Sequence, residues 1–165
     1  MADETILYLD EVPGELERLF RERKPAGFRL SFWSEMGSQA REESLHAADY
    51  VLVAARKFGS DLIEEAARTR LIQKTGIGTD NIDCRAAAAR CIHVANAPGG
   101  NARSVAELTI LLILALYRKL LALDAATRRG EWPMWELRPT SFEMDGKIIG
   151  LIGLGDVGRE VAHRA

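Results

Sequence analysis

The chain has 165 residues, 47% of them apolar, and a formal charge of −2, which suits a packed core in one ordinary domain. That balance offers no basic stripe for nucleic acid, and the charge-free run Leu108–Tyr117 is well short of the ~20 residues a membrane span requires. Met1-Ala2-Asp3-Glu4 lacks the basic start of a signal peptide, so a cytoplasmic protein with no nucleic-acid or membrane partner is expected.

In chain order, short apolar runs alternate with helix-like runs, the pattern of an α/β doubly wound parallel sheet. Thr5–Leu9 reads as the first strand and ends in Asp10. A helix follows Pro13, with Leu16, Leu19 and Phe20 on one stripe. Phe28–Trp33 is the second strand, Ser38–Ala47 a polar helix and Tyr50–Val53 a fully apolar third strand. Ser60 is the expected N-cap of the next helix, with Asp61, Glu64 and Glu65 near its positive end. Leu71–Lys74 is strand four, Asp83 caps an alanine-rich helix over Arg85–Arg90, and Ile92–Ala95 is strand five.

Asn96-Ala97-Pro98-Gly99-Gly100-Asn101 is a Pro/Gly-rich joint between two periodic regions. Beyond it Ser104-Val105-Ala106-Glu107 fits a capping box, opening a helix expected to run to about Leu123. Its stretch from Leu108 to Tyr117 is apolar nearly all round and requires burial, in its own domain or against another chain. Cys84 and Cys91 lie seven apart with no CxxC and no metal-ligand spacing, so they read as small buried hydrophobes and no metal is expected.

Two glycine-bearing loops carry the chemistry. Thr75-Gly76-Ile77-Gly78-Thr79-Asp80 follows strand four, at the strand end where open α/β sheets bind ligands. Its N–H groups form either a nest for a carboxylate or phosphate, glycine allowing the positive φ such nests often need, or a simple tight turn. Ile148-Ile149-Gly150-Leu151-Ile152 then reads as a strand running into Gly153-Leu154-Gly155-Asp156-Val157-Gly158. This GxGxxG opens a helix whose N-terminus would face a dinucleotide pyrophosphate. The acid that separates NAD from NADP lies about 20 residues further on, and seven residues follow Gly158.

Taken together, Lys74–Asp83, Asn96–Glu107 and Gly150–Gly158, with Gly130-Glu131-Trp132 ahead of the last, resemble the D-isomer-specific 2-hydroxyacid dehydrogenases of the D-3-phosphoglycerate dehydrogenase branch. The resemblance implies a flavodoxin-like substrate domain over residues 1–99. It places the start of a nucleotide-binding Rossmann domain at 100–165, a long helix followed by the first βα unit. It implies that amides of Gly76, Ile77 and Gly78 hold a substrate carboxylate. Ser104 would lie near the cofactor, and Gly153, Leu154, Gly155, Asp156, Val157 and Gly158 would carry the pyrophosphate of NAD, with NADP not excluded. The substrate would be a small 2-hydroxy or 2-keto acid, and the helix 104–123 would pair with its counterpart in a homodimer.

In such enzymes an arginine polarises the carbonyl and binds the carboxylate, while a histidine paired with a carboxylate exchanges the proton. None of His46, His93 or His163 matches that histidine, so no catalytic residue is assigned in these 165 residues and the isolated chain is expected to be inactive. Phosphoglycerate-type relatives place an Arg-Ser pair after strand three, where this chain has Ala54-Ala55 followed by Arg56 and Lys57, which weakens the case for a phosphorylated substrate. Two other readings stay open: a non-catalytic carboxylate-binding or dimerisation module, and one half of a split dehydrogenase.

Overall fold

The structure is a computed structural model describing residues 4–165; the signal-peptide reading rests partly on Met1–Asp3, outside the described residues. Five strands, β1 (Glu4–Tyr8), β2 (Phe28–Phe32), β3 (Tyr50–Val53), β4 (Leu71–Lys74) and β5 (His93–Ala95), form one parallel sheet ordered β2-β1-β3-β4-β5. That order is flavodoxin-like, with its switch point between β1 and β3. The register pairs Ile6 with both Leu30 and Tyr50, Val51 with Ile72, and Ile72 with Val94. Helices α1 (Gly14–Arg23), α2 (Ser38–Ala47), α3 (Ser60–Glu65) and α4 (Cys84–Ala89) connect the strands.

Period-two alternation divides the apolar side chains between the two faces of the sheet. Leu7, Leu9, Val51, Val53 and Ile72 join Leu45, Phe58 and Ile63 in one fully buried cluster. Tyr8, between Leu7 and Leu9, instead meets Phe20 of α1 and Phe32 of β2, with ring centroids 5.0 and 5.7 Å away. Phe20 is the anchor of α1, because Leu16 and Leu19 of the expected stripe remain 39% and 45% exposed.

The chain divides into two compact units, one ending at Pro98 and the other running Gly99–Ala165. The second unit holds α5 (Ala102–Tyr117), α6 (Leu120–Arg128), α7 (Met134–Leu137) and α8 (Asp156–Arg164). Within it, Ala102 and Ala106 of α5 and Val161 of α8 are buried where the two helices pack. Arg164 ties them further, bridging Glu107 at 3.6 Å and hydrogen-bonding Glu160.

Several local expectations are corrected. Ser60 is the first residue of α3, whose N-cap is Gly59. Ser104 lies inside α5, whose N-cap is Asn101, so no capping box forms. The helix expected to reach Leu123 breaks at Lys119, which takes a left-handed φ of 54° between α5 and α6. The apolar run is not covered: Leu108, Leu111, Leu112 and Leu116 are 52%, 53%, 54% and 72% exposed. Residues Lys147–Ile152 form no strand, and Ile148 and Ile152 are fully exposed, because a strand exists only as part of a ladder and the described residues of this unit offer no partner.

Both cysteines are exposed rather than buried. Cys84 opens α4 on its outer side. Cys91 occupies the left-handed position that terminates α4, where Cys91 N–H donates to Ala88 O (3.0 Å) and Ile92 N–H to Ala87 O (2.9 Å), a Schellman ending with a non-glycine residue at its turn.

Candidate functional site

The loop after β4 is built from the backbone outward. Thr75 N–H donates to Val53 O at 3.0 Å, which fixes the loop's entry beside β3. Ala97 N–H donates to Gly76 O (2.9 Å), and Asn96 Nδ2 donates to Ile77 O (2.8 Å). A trans peptide is planar with its C=O and N–H opposed. Tying the carbonyls of residues 76 and 77 to the 96–97 segment therefore turns the N–H groups of Ile77 and Gly78 away from that segment. Among the described residues the N–H groups of Gly76, Ile77 and Gly78 have no acceptor. Backbone donors that go unpaired in the protein are what an anion would take up.

Neither Gly76 nor Gly78 has a positive φ, contrary to the expectation for a nest of that kind. A Cβ at position 78 would come within 2.8 Å of the Asp80 carboxylate, the movable end of a side chain.

A second network braces this loop against the one after β3. The Lys74 ammonium hydrogen-bonds Ala54 O and donates to Asn81 Oδ1 at 2.7 Å, while Asn81 Nδ2 donates to Arg56 O at 2.7 Å. Asp10, 9% exposed just past β1, accepts from the N–H groups of Ala54, Ala55 and Arg56 at 2.6, 2.8 and 2.7 Å. Burial, reinforced by the Asp10 carboxylate, raises the pKa of the neighbouring Tyr8 phenol, keeping it neutral at physiological pH. The sequence signalled Asp10 only as an acid closing an apolar strand; its part in the site depends on chain distant in sequence, as does that of Lys74 and Asn81.

In the second unit the glycine turn is compact. Gly153 has φ +94°, and a Cβ on Gly158 would lie 2.5 Å from the Gly153 carbonyl oxygen, so only glycine lets the α8 start close onto the turn. Gly155 is the N-cap of α8 and has open space where a Cβ would be. A hollow of about 280 Å³ is lined by Gly99, Ala102 and Arg103 at the start of α5 and by Asp156, Arg159 and Glu160 of α8. Arg159 pairs with Asp156 and donates to Leu154 O at 3.3 Å, offsetting a carboxylate placed where the helix dipole favours an anion. The Arg164 guanidinium holds the Glu160 carboxyl below its usual range. Ser104 is exposed on α5 with its hydroxyl free among the described residues. Another hollow of the unit, about 380 Å³, is lined by Arg118, Leu123, Trp132, Met134, Leu137 and Ser141, apart from the glycine turn.

The histidines belong to neither loop: His46 is in the last turn of α2, exposed His93 in β5 and His163 near the end of α8.

The flavodoxin-like parallel sheet defines a protein of the doubly wound α/β class, and the acceptor-free amides lie at the carboxyl edge of its strands, where ligands of that class bind. The chain belongs to the D-isomer-specific 2-hydroxyacid dehydrogenases, whose catalytic-domain model matches residues 6–155. It is 40% identical over 124 residues to D-3-phosphoglycerate dehydrogenase of Methanocaldococcus jannaschii, covering 74% of this chain and 23% of that protein. It is 41% identical over 115 residues to hydroxypyruvate reductase of Thermotoga maritima, covering 70% and 37%. Among solved structures, the NAD-dependent formate dehydrogenase of Staphylococcus aureus in complex with NAD matches with TM-score 0.78 and 26% identity, over 97% of this chain and 52% of that one. The NAD+-bound 3-phosphoglycerate dehydrogenase of Entamoeba histolytica matches with TM-score 0.75 and 26% identity, over 99% and 50%. The chain thus spans about half the length of these structures and between 21% and 37% of the curated relatives.

Proposed function

We propose that this chain supplies the substrate-carboxylate and cofactor-phosphate parts of an NAD-dependent oxidoreductase acting on the CH–OH group of a D-2-hydroxy acid. The observation that carries the reading is the run of three N–H groups at Gly76, Ile77 and Gly78 without an acceptor among the described residues, the last two oriented by the ties to Ala97 and Asn96. A carboxylate accepting from them is fixed in orientation, which sets the adjacent carbon for reaction. In this reading residues 1–99 are the substrate domain and 100–165 begin the nucleotide domain. Ser104 and the turn Gly153–Gly158 receive the cofactor; the close Gly153–Gly158 approach and the hollow beside Asp156 fit a pyrophosphate at the α8 N-terminus. When bound, NAD accepts or supplies the hydride.

This chain's own residues bind and orient the acid, and the family resemblance assigns proton exchange to groups other than its own side chains. The 165-residue chain is therefore expected to bind a small hydroxy acid without turning it over.

The exposed leucines of α5 support the homodimer expected through this helix region. The same surface would serve the alternative, a non-catalytic dimeric module. Two measurements test the function. Glycolate titrated into 15N-labelled protein is expected to shift the amides of residues 76–78, and a spectrum without such shifts would remove the carboxylate role. NADH absorbance with glyoxylate, pyruvate or hydroxypyruvate is expected to stay flat; turnover by this chain alone would refute the assignment of proton exchange to groups outside it.

A further inference from the structure

Resting on the reading of the Gly76–Gly78 loop as a carboxylate cradle, we infer that Asp10 is a positioning residue for it: a buried carboxylate that fixes the cradle through an intervening segment, residues 53–58, rather than by contact with the bound acid. Asp10 lies just past β1 and is itself held firmly. The N–H of the fully buried Leu9 donates to Leu52 O at 3.0 Å, and the Leu9 carbonyl accepts from Arg56 Nε at 2.9 Å.

The Asp10 side chain is nine-tenths buried, and both its oxygens are engaged inside the fold. Oδ2 accepts from Ala54 N–H at 2.6 Å, and Oδ1 accepts from Ala55 and Arg56 N–H at 2.8 and 2.7 Å. Hydrogen bonds to an ionised acceptor are roughly twice as strong as neutral ones, so one group pins three consecutive peptides.

The flanks of the cradle grip the same peptides from the other side. Ala54 O accepts from the Lys74 ammonium, and Arg56 O accepts from Asn81 Nδ2 at 2.7 Å. Lys74 immediately precedes the loop Thr75–Asp80 and Asn81 immediately follows it. The peptide joining Ala54 to Ala55 is thus bonded at both ends, its N–H to Asp10 and its C=O to Lys74. Being planar, it passes a displacement at one end to the other. Phe58 N–H donates to Asn81 O at 2.8 Å and Thr75 N–H to Val53 O at 3.0 Å, so both ends of the cradle loop are tied to the segment that Asp10 holds. Donors bind a carboxylate well only when such support keeps them within about 0.5 Å of the productive geometry.

Asp10→Asn keeps the side chain's size but leaves it one acceptor oxygen and two donors of its own, so at least one of the three N–H groups faces an NH2. The test titrates glycolate into the 15N-labelled 165-residue protein and reads the amides of residues 76–78. Asp10→Asn is expected to move these resonances before ligand is added and to weaken glycolate about tenfold. Asn81→Ala, which cuts the tie to Arg56 with Asp10 in place, is expected to weaken it too, and the two losses not to add, since both act on one linkage. Asp49→Asn removes a similarly buried carboxylate at the amino edge of the sheet and is expected to leave glycolate affinity unchanged. Should Asp10→Asn not fold, Asp10→Glu is read instead: it moves the charge by one methylene, so residues 54–56 and 76–78 are expected to shift together and glycolate to weaken. Wild-type affinity in the Asp10 variant, additive losses, or an equal loss in Asp49→Asn would overturn the inference and leave the cradle standing. If glycolate does not move residues 76–78 of the wild-type protein, the carboxylate reading fails and this inference falls with it.

Discussion

Asp49 shows how one carboxylate at the amino edge of the sheet links stability to pH. It accepts from Thr5 N–H at 2.8 Å and Thr5 Oγ1 at 2.9 Å, and Arg68 Nη2 donates to it at 3.1 Å. The Thr5 N–H is the main reason its pKa falls below 3.8, with burial opposing and the Thr5 hydroxyl and Arg68 assisting. A carboxylate with a depressed folded pKa stabilises the protein above its unfolded pKa and loses that contribution as pH falls through the folded value. Asp49→Asn is expected to cost about 1–3 kcal/mol at neutral pH. In urea titrations the gap from wild type should hold above about pH 5 and close on acidification below 3.8. A gap independent of pH would mean the acid acts through shape alone. Cys91 predicts the opposite sign: its φ of 58° is strained for a side chain with a Cβ, so Cys91→Gly should raise stability by up to about 1 kcal/mol, read as a higher denaturation midpoint.

At the scale of elements, the glycine turn separates two demands that GxGxxG merges. Gly158 is there for packing, since a methyl group would meet the Gly153 carbonyl oxygen at 2.5 Å. Gly155 leaves open space where a ligand would approach. Gly158→Ala should therefore destabilise α8 by about 1–3 kcal/mol, seen as faster amide exchange in Asp156–Arg164. Gly155→Ala should change that exchange little, and equal effects from the two would refute the division of roles. The α5–α6 break shows where periodicity stops informing. Ser104 to Leu123 reads as one helix because no glycine or proline announces the left-handed turn that Lys119 makes.

For the whole molecule, the exposed α5 leucines Leu108, Leu111, Leu112 and Leu116 bear on the proposed homodimer. An apolar surface of this kind marks an association site. Leu112→Glu with Leu116→Glu is expected to convert a dimer to monomer in light scattering, without changing the circular dichroism of the sheet. A monomeric wild-type protein at micromolar concentration would remove the proposed homodimer.

The five strands were legible because each is a short apolar run punctuated by polar or glycine-bearing turns, and β3 and β4 match their expected bounds at Tyr50–Val53 and Leu71–Lys74. The Asp83 cap was legible too, its Oδ1 accepting from Ala86 N–H at 2.9 Å, because a cap acts within one helical turn. So were the two glycine loops as candidates. What the sequence determined by itself was therefore local: periodicity, turn chemistry, and a family pattern spread over three segments. Tertiary structure decided which backbone donors stay free. Residues 54–56 and 76–78 both carry successive N–H groups after a strand, but Asp10, 44 or more positions from residues 54–56, folds back onto one set and leaves the other. Whether a donor is spent depends on which distant acceptor the fold brings within 3 Å, and no local pattern encodes that distance.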